Sequence, residues 1–320
     1  MSNDVLVANL ADTARKAART LVAASFEERT AALLAIATAL ESSVEEIVAA
    51  NKEDMERGKA AGLNSQLLDR LMLNEARITA IAGGTRKVAA LPNPLGNVLR
   101  KRTLDNGLEL TQVTVPFGVV GMVYEARPNV TVDAAVILIM SGNATLLRGS
   151  SSAEKSNEVL VSVMRRALSS TRISPEVLQL IPSHDRDTTR ALLHARGKVD
   201  LVIPRGSAAL IRMVVDESTV PTIETGAGVC HVYVDEKADL SKALPILINS
   251  KTHRPSVCNA AETLLVHKKV KDEFLPIALR ELHNAGVKLH GDELTLAVAG
   301  ELHIPIEKAV EESWSTEYGV

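Results

Sequence analysis

The sequence predicts an open α/β fold in which a parallel sheet carries helices on its faces. Between residues 117 and 223, short apolar segments typical of strands alternate with helical segments, which is the pattern of right-handed strand–helix–strand crossovers. Residues 1–97 have a helical pattern, and an Asn-Gly turn between two strand-like segments follows them. Open parallel sheets bind ligands at the carboxyl ends of their strands, so functional residues are expected there.

Composition favours a cytoplasmic protein of about two domains. The chain has 320 residues, 46% of them apolar and 2% aromatic, so small aliphatic side chains must fill the cores. A net charge of −3 gives no basic footprint for nucleic acid. The two cysteines form no CxxC pair, which indicates a reducing compartment. We see no apolar run of about 20 residues and no signal peptide, so no membrane partner is expected.

A hairpin is predicted between the helical and alternating parts. The segments Val98–Leu104 and Leu108–Val115 flank Asp105-Asn106-Gly107, and they are rich in Arg, Lys and Thr. Such a hairpin is typical of an arm that pairs with another chain, although a simple surface hairpin explains the pattern equally well.

The alternating part predicts five strands and the helices between them. The strands are Val119–Tyr124, Ala144–Leu147, Val177–Ile181, Val199–Ile203 and Val220–Ile223, and the helices are Val130–Met140, Ala153–Leu168, Arg186–Ala195 and Ala208–Val215. A second α/β domain follows a junction near residues 224–228. Its elements are strands Val229–Val234 and Thr263–Val266 and helices Leu240–Asn249 and Val270–Leu282.

Two strand ends carry the same Arg-Gly-Ser sequence before a helix. Neither a Walker A motif nor a complete GxGxxG is present, and the triplet at 226–228 precedes a strand, not a helix. Arg148-Gly149-Ser150 and Arg205-Gly206-Ser207 place glycine, serine and a helix N-terminus together, which suits a phosphate group. Plain helix capping is the alternative. Arg148, in place of an acidic residue, favours NADP over NAD.

The two cysteines differ in their surroundings. Cys230 shares a strand face with Val232 and Val234 and is predicted to be a buried structural thiol. Cys258 lies in a polar segment with Arg254 and His253, whose charge would favour the reactive thiolate. An inert thiol remains an alternative on these grounds. The eight histidines show no metal-ligand spacing, so no metal site is predicted.

Three segments resemble a known family. Residues 119–131, 221–235 and 254–263 are similar to the most characteristic stretches of γ-glutamyl phosphate reductases, which belong to the aldehyde dehydrogenase superfamily, and the resemblance covers nearly the whole chain. It implies an NADP-binding domain from residues 1–97 and 118–226 with a Rossmann-like sheet. It also implies an oligomerisation hairpin at 98–117 and an α/β catalytic domain at 227–320.

The resemblance implies NADPH-dependent reduction of L-glutamyl 5-phosphate to L-glutamate 5-semialdehyde and phosphate, a step of proline biosynthesis. Cys258 matches the family nucleophile, which forms a thioester, and Asn129 matches the oxyanion-stabilising residue. The matches to cofactor contacts are Arg148, Gly149 and Ser150 at the adenosine ribose, Gly206 and Ser207 at the pyrophosphate, and Glu317 at the nicotinamide ribose. Glu224 matches the general base of hydrolytic relatives, and it is also expected to lie in the cofactor site. Arg254 is expected to bind an anionic group of the substrate.

The chain departs from the family pattern in places. His253 stands where members have Gln, Ser207 stands where they have Gly, and family chains continue beyond Val320, so the catalytic domain is expected to be incomplete at its C-terminus. Two other functions stay open: a hydrolytic semialdehyde dehydrogenase and a catalytically silent fragment. The resemblance also implies a homo-oligomer and an association with glutamate 5-kinase.

Overall fold

The structure is a computed structural model of the chain. It describes residues 2–182, 185–224, 228–255, 257 and 259–315, with residues 65 and 66 described by their backbone alone. The chain divides into two compact units, Met1–Thr225 (unit 1) and Gly226–Val320 (unit 2). The predictions for Cys258 and Glu317 lie outside the described residues.

The N-terminal part of unit 1 is helical, as predicted. Its helices are α1 Asn3–Ala23, α2 Phe26–Ser42, α3 Val44–Ala60, α4 Ser65–Leu71 and α5 Glu75–Ala89. A capping box begins α2: Ser25 Oγ accepts from the Glu28 amide at 3.2 Å, and Glu28 Oε2 accepts from the Ser25 amide at 2.9 Å. Helices α1, α2 and α5 bury mainly apolar side chains, whereas the buried face of α3 also carries Asn51 and Asp54.

The predicted hairpin is present and lies away from the core. β1 (Val98–Thr103) pairs antiparallel with β2 (Glu109–Val113), and every residue of both strands is exposed. Gly107 has a φ of +86° in the turn, a conformation that glycine adopts at no steric cost. Among residues that the structure describes, none forms an apolar layer over either face of this ribbon.

A four-stranded parallel sheet forms the centre of unit 1, which confirms the predicted fold class. Its strands are β3 Val119–Tyr124, β4 Ala144–Arg148, β5 Leu178–Leu180 and β6 Leu201–Arg205. The helices that alternate with them are α6 Pro128–Met140, α7 Glu154–Leu168, α8 Asp187–Leu193 and α9 Ala208–Glu217. The strand order is β5-β4-β3-β6, so the winding direction reverses between β3 and β6.

The predicted strand at 220–223 is reduced to a single bridge between Val202 and Thr222. Val202 donates to the Pro221 carbonyl at 2.9 Å, and the Ile223 amide donates to the Val202 carbonyl at 3.2 Å. In a parallel ladder the next bond along β6 would need an N–H group from Pro204, and the preceding bond would need one from Pro221. Because proline has no N–H group, the pairing stops at this bridge in both directions.

Unit 2 is a smaller α/β arrangement with its own core. Its elements are β7 Cys230–Val234, α10 Leu240–Thr252, β8 Ala261–Val266, α11 Lys271–Asn284, β9 His290–Gly291, α12 Glu293–Glu301 and β10 Glu307–Lys308. β7 pairs parallel with β8, and β9 pairs parallel with β10. The main core of unit 2 contains the buried side chains of Phe274, Leu247 and Leu282.

Candidate active site

The carboxyl ends of β3 and β6 lie side by side in unit 1, and we call the space outside these two strand ends the crevice. The backbone amide of Glu125, directly after β3, donates to the carbonyl of Arg205, the last residue of β6, at 3.2 Å. The strand order reverses at this point. Open α/β sheets bind their ligands at such a switch point, so the topology alone singles out this edge.

The first residues of α9 line the crevice. Ser207 is the N-cap of α9, and its Oγ accepts from the Leu210 amide at 3.4 Å. The same hydroxyl donates to Oε1 of Glu125 at 2.6 Å. A Cβ at Gly206 would stand 2.7 Å from the Glu125 carboxyl carbon, so glycine is what allows this approach. The carboxylate of Glu125 therefore already lies at the positive end of helix α9, where a ligand anion would bind.

A serine loop follows β4, the second strand end singled out by the sequence. Ser150 Oγ accepts from the Ser152 amide at 3.2 Å and caps a short 3-10 helix, Ser151–Ala153. Ser150 and Ser152 are half-buried and Ser151 is exposed. The loop therefore presents hydroxyl groups at the carboxyl end of the sheet, as the sequence indicated.

Arg148 points into the protein. It is 7% exposed, and it donates to the Gly149 carbonyl at 2.6 Å, the Asp185 carbonyl at 3.0 Å and Oγ1 of Thr188 at 3.4 Å. Desolvation lowers the pKa of the guanidinium, and Asp185 opposes this effect. The predicted contact between Arg148 and a ribose phosphate stays a prediction, and it would require the side chain to leave these acceptors.

Gly149 is required by internal packing. A Cβ there would lie 3.0 Å from the Tyr124 ring and would also collide with the Asn157 amide. Thr131 Oγ1 donates to Asn157 Oδ1 at 2.7 Å, so its lone pair accepts from the Tyr124 hydroxyl at 2.8 Å. Burial raises the pKa of Tyr124 well above its ordinary value, which keeps this phenol neutral. A side chain at position 149 would therefore displace Tyr124 or Asn157 and disrupt this buried chain of hydrogen bonds.

The N-terminus of α7 is capped by a residue from another helix. Asp54 of α3 is fully buried, and its carboxylate accepts from the amides of Lys155 and Ser156 at 3.2 and 2.8 Å and from the Ser156 hydroxyl at 2.7 Å. Arg57 donates to the same carboxylate. The backbone N–H groups of Lys155 and Ser156, at the start of the helix after the serine loop, thus donate to the protein's own carboxylate.

Asn129, the predicted oxyanion donor, lies in the first turn of α6. Its Nδ2 donates to Oδ2 of Asp133 at 3.0 Å, and the second hydrogen of that amide stays available. Desolvation raises the pKa of Asp133, and the hydrogen bond from Asn129 opposes the shift. The hydrogen bond to Asp133 therefore fixes the orientation of the Asn129 amide group, with its nitrogen towards Asp133.

The other predicted residues are spread over both units. Glu224 is exposed at the end of unit 1, and Arg254 is exposed in unit 2. Cys230, expected to be buried, is only half-buried because it is the first residue of β7. Lys251 and Glu262, on either side of the segment that carries Cys258, form an ion pair of 2.7 Å with side chains 10% and 9% exposed.

The described residues contain no helix long and apolar enough to cross a membrane. They also contain no group of three or more His, Cys, Asp or Glu side chains arranged to hold a metal ion.

The carboxyl edge of the central sheet combines three features that are typical of dinucleotide sites. A switch point, a helix start that accepts an anion at Ser207 and a hydroxyl-bearing loop at Ser150 lie at the same edge of the sheet. These are the features that hold a pyrophosphate and an adenosine ribose.

Sequence reasoning missed Glu125, Asp54 and Arg57. Glu125 had a local signal, since a charged residue directly after a buried strand faces the ligand edge. Asp54 and Arg57 had none, because they reach the 151–156 segment from a helix about 100 positions earlier in the chain.

Comparison with known proteins gives a consistent result. The aldehyde dehydrogenase family matches residues 2–296. γ-Glutamyl phosphate reductase of Thermobifida fusca is 53% identical over 312 residues, which are 98% of this chain and 74% of that protein. The same-named protein of Moorella thermoacetica is 51% identical over 95% of this chain and 72% of its own length.

Solved structures agree. The crystal structure of γ-glutamyl phosphate reductase from Thermotoga maritima has a TM-score of 0.88 at 41% identity, covering 97% of this chain and 74% of that one. An acetylating aldehyde dehydrogenase from Geobacillus thermoglucosidasius has a TM-score of 0.67 at 17% identity, over 98% of this chain and 72% of that one, and shares the fold. The chain therefore belongs to the aldehyde dehydrogenase family and, within it, to the γ-glutamyl phosphate reductases.

Proposed function

We propose that this chain reduces L-glutamyl 5-phosphate to L-glutamate 5-semialdehyde and phosphate with NADPH, in proline biosynthesis. The observation that carries the proposal is 53% identity over 98% of the chain to a protein named for this activity. Family membership implies a nicotinamide cofactor. The switch-point crevice of unit 1 supports a dinucleotide site of the required kind.

NADP is the dinucleotide that we propose. The β4 end carries Ser150, Ser151 and Ser152 and no acidic residue that would accept from a ribose 2′-hydroxyl. Gly206 and Ser207 are assigned to the pyrophosphate, for which Glu125 must turn away from Ser207. Arg148, Gly149 and Ser150 are assigned to the adenosine ribose, and Glu224 and Glu317 complete the proposed cofactor contacts.

The proposed chemistry proceeds through Cys258. Its thiolate attacks the acyl carbon of the substrate, and the carbon–oxygen bond to phosphate breaks to leave a thioester. NADPH, when bound, supplies the hydride that reduces this thioester. Asn129 Nδ2 donates to the oxyanion at each tetrahedral stage, and collapse of the last one releases the aldehyde and the thiolate. Arg254 is proposed to hold a substrate anion.

The roles of the segments follow from this assignment. Residues 1–97 and 118–226 are proposed as the NADP-binding domain and 227–320 as the catalytic part. The hairpin at 98–117 is proposed to pair with a second copy, since Leu99, Leu108 and Phe117 are about 60% exposed on it. The association with glutamate 5-kinase and the cytoplasmic location stay predictions.

A reverse assay tests the reaction. NADP⁺ reduction by glutamate 5-semialdehyde should require inorganic phosphate, because phosphate must release the acyl group from the thioester. Turnover that proceeds equally well without phosphate would replace the proposal with a hydrolytic dehydrogenase that uses Glu224 as its base. NADPH binding without turnover in either direction would indicate a silent chain.

A Cys258→Ser variant tests the nucleophile. Turnover should be lost, since an alcohol at neutral pH is a far weaker nucleophile than a thiolate. Affinity for NADPH should change less than about twofold, because the substitution replaces only one sulfur atom with oxygen. Retained turnover in this variant would contradict the thioester route.

A further inference from the structure

We infer that Arg57, together with the serine loop Ser150–Ser152, forms the subsite that selects a 2′-phosphorylated adenosine. The inference rests on the proposed function, since it concerns the proposed NADP site. Arg57 lies in the N-terminal helical part of the chain, far in sequence from the strand–loop–helix segments that would line a dinucleotide.

Arg57 is a cation placed against the serine loop. Its Nη2 donates to the Ser151 carbonyl at 3.1 Å and to the Asp54 carboxylate. The side chain is 45% exposed, whereas Asp54 is not exposed at all. One edge of the guanidinium is therefore held by the protein, and within the part of the chain that the structure describes no acceptor takes the N–H groups on Nε and Nη1, which leaves them for a ligand.

Arg57 brings a positive charge to the serine loop, at a helix start that also has Lys155 and the acidic residues Glu53, Glu154 and Glu158 around it. The buried carboxylate of Asp54 faces the N-terminus of α7 and the Ser156 hydroxyl, which take up much of its negative charge. Arg57 adds a full positive charge on the solvent side of that carboxylate. A guanidinium beside hydroxyl donors is well matched to the oxygens of a phosphate monoester, which accept two parallel hydrogen bonds.

Two other cations near the loop, Arg148 and Lys155, are engaged elsewhere. Arg148 is buried and donates to three acceptors of the protein. Lys155 pairs with Glu158 on the same face of α7 at 2.9 Å, and this hydrogen bond is the main cause of its raised pKa. Of these three cations, Arg57 is the one that combines exposure with a direct contact to the serine loop.

Binding of adenosine fragments tests the inference without any turnover. The full chain and an Arg57→Gln variant would be titrated with 2′,5′-ADP and with 5′-AMP. Glutamine keeps a donor for the Ser151 carbonyl and removes the charge. Affinity for 2′,5′-ADP should fall about tenfold or more, as for one charge-assisted hydrogen bond, and affinity for 5′-AMP should change less than about twofold.

Arg166→Gln is the matched control. Arg166 also links α7 to α3, through Glu46 at 2.6 Å, but it lies at the opposite end of α7 and is similarly exposed at 53%. It should change neither affinity. Equal loss of both fragments in Arg57→Gln would mean a structural role, and no loss of 2′,5′-ADP would mean no role; either result overturns the inference.

Arginine modification gives a measurement on the unaltered chain, should Arg57→Gln fail to fold. Phenylglyoxal labelling of the peptide that contains Arg57 should be slowed by 2′,5′-ADP and not by 5′-AMP. Labelling that 2′,5′-ADP leaves unchanged would count against the inference.

The outcomes separate this inference from the proposed function. Selective binding of 2′,5′-ADP through Arg57 with no reduction of L-glutamyl 5-phosphate would keep the subsite and remove the activity. Phosphate-dependent turnover with NADPH that is unaffected in Arg57→Gln would keep the activity and remove the subsite.

Discussion

The N-terminus of α7 is closed by a carboxylate from another helix, whereas the N-terminus of α9 opens onto the crevice. At α7, Asp54 is fully buried and accepts from two backbone amides. At α9, the exposed Glu125 accepts from the Ser207 hydroxyl. Both helix starts bind a carboxylate, but only a carboxylate on an exposed side chain can leave at little cost. One helix start is therefore part of the scaffold, and the other is available to a ligand.

The largest expected effect comes from removing the internal cap. Asp54→Ala deletes the acceptor of two amides, one hydroxyl and Arg57, and it leaves buried donors unsatisfied. We expect unfolding in urea to become easier by about 3 kcal/mol, less than for a fully buried ion pair because Arg57 is half-exposed. A loss below about 1 kcal/mol would contradict the view that this carboxylate closes the helix.

The two glycines should respond differently to a methyl group. In Gly149→Ala the new methyl group would collide with the side chain of Asn157, so the backbone at residue 149 and Asn157 must move apart. We expect this change to lower the free energy of unfolding by about 2–3 kcal/mol. Gly206→Ala meets flexible side chains, Glu125 and Leu210, so it should cost about 1 kcal/mol and mainly weaken dinucleotide binding. Urea unfolding with parallel NADPH titration compares the pair, and equal destabilisation would remove the distinction.

Ser207→Ala tests the open helix start. Loss of the N-cap should cost about 1 kcal/mol of stability, and loss of the hydroxyl should weaken NADPH binding about fivefold. Ser25→Ala, which removes the cap of α2, serves as a control that should lose similar stability with unchanged NADPH affinity. Unchanged NADPH affinity in Ser207→Ala would mean that this hydroxyl does not contact the dinucleotide.

The smallest effect is expected from Glu125→Gln. Removing the charge that occupies the positive end of α9 should strengthen NADPH binding about two- to fivefold, because a pyrophosphate would no longer compete with a carboxylate. The gain should shrink as salt is added. Weaker binding in this variant would indicate that Glu125 assists the ligand and does not compete with it.

Local patterns predicted local structure well. β3 spans the predicted residues Val119–Tyr124, because an uninterrupted apolar strand ends at a charged residue. The strand expected at 220–223 is reduced to one bridge because Pro204 and Pro221 both lack the N–H group that the ladder would need on either side of it. Ser207 caps α9 as its position before the helix predicted.

Long-range contacts were beyond such patterns. Arg148 points inward because Asp185 and Thr188 offer acceptors there, and its own neighbours in sequence gave no sign of it. Asp54 caps a helix that begins 100 residues later. The Arg-Gly-Ser sequence thus located both helix starts, but the fold decided which of them a distant side chain would close.

The edges of the central sheet are also shaped by the missing N–H of Pro221. One edge is β5, which has three residues, and beside β6 the next segment forms a single bridge. Short edges offer few unpaired backbone groups to a foreign strand, which protects a protein against aggregation through its sheet. In unit 1 the long exposed strand edges belong to the β1–β2 ribbon, so the ribbon offers a foreign strand more unpaired backbone groups than the central sheet does.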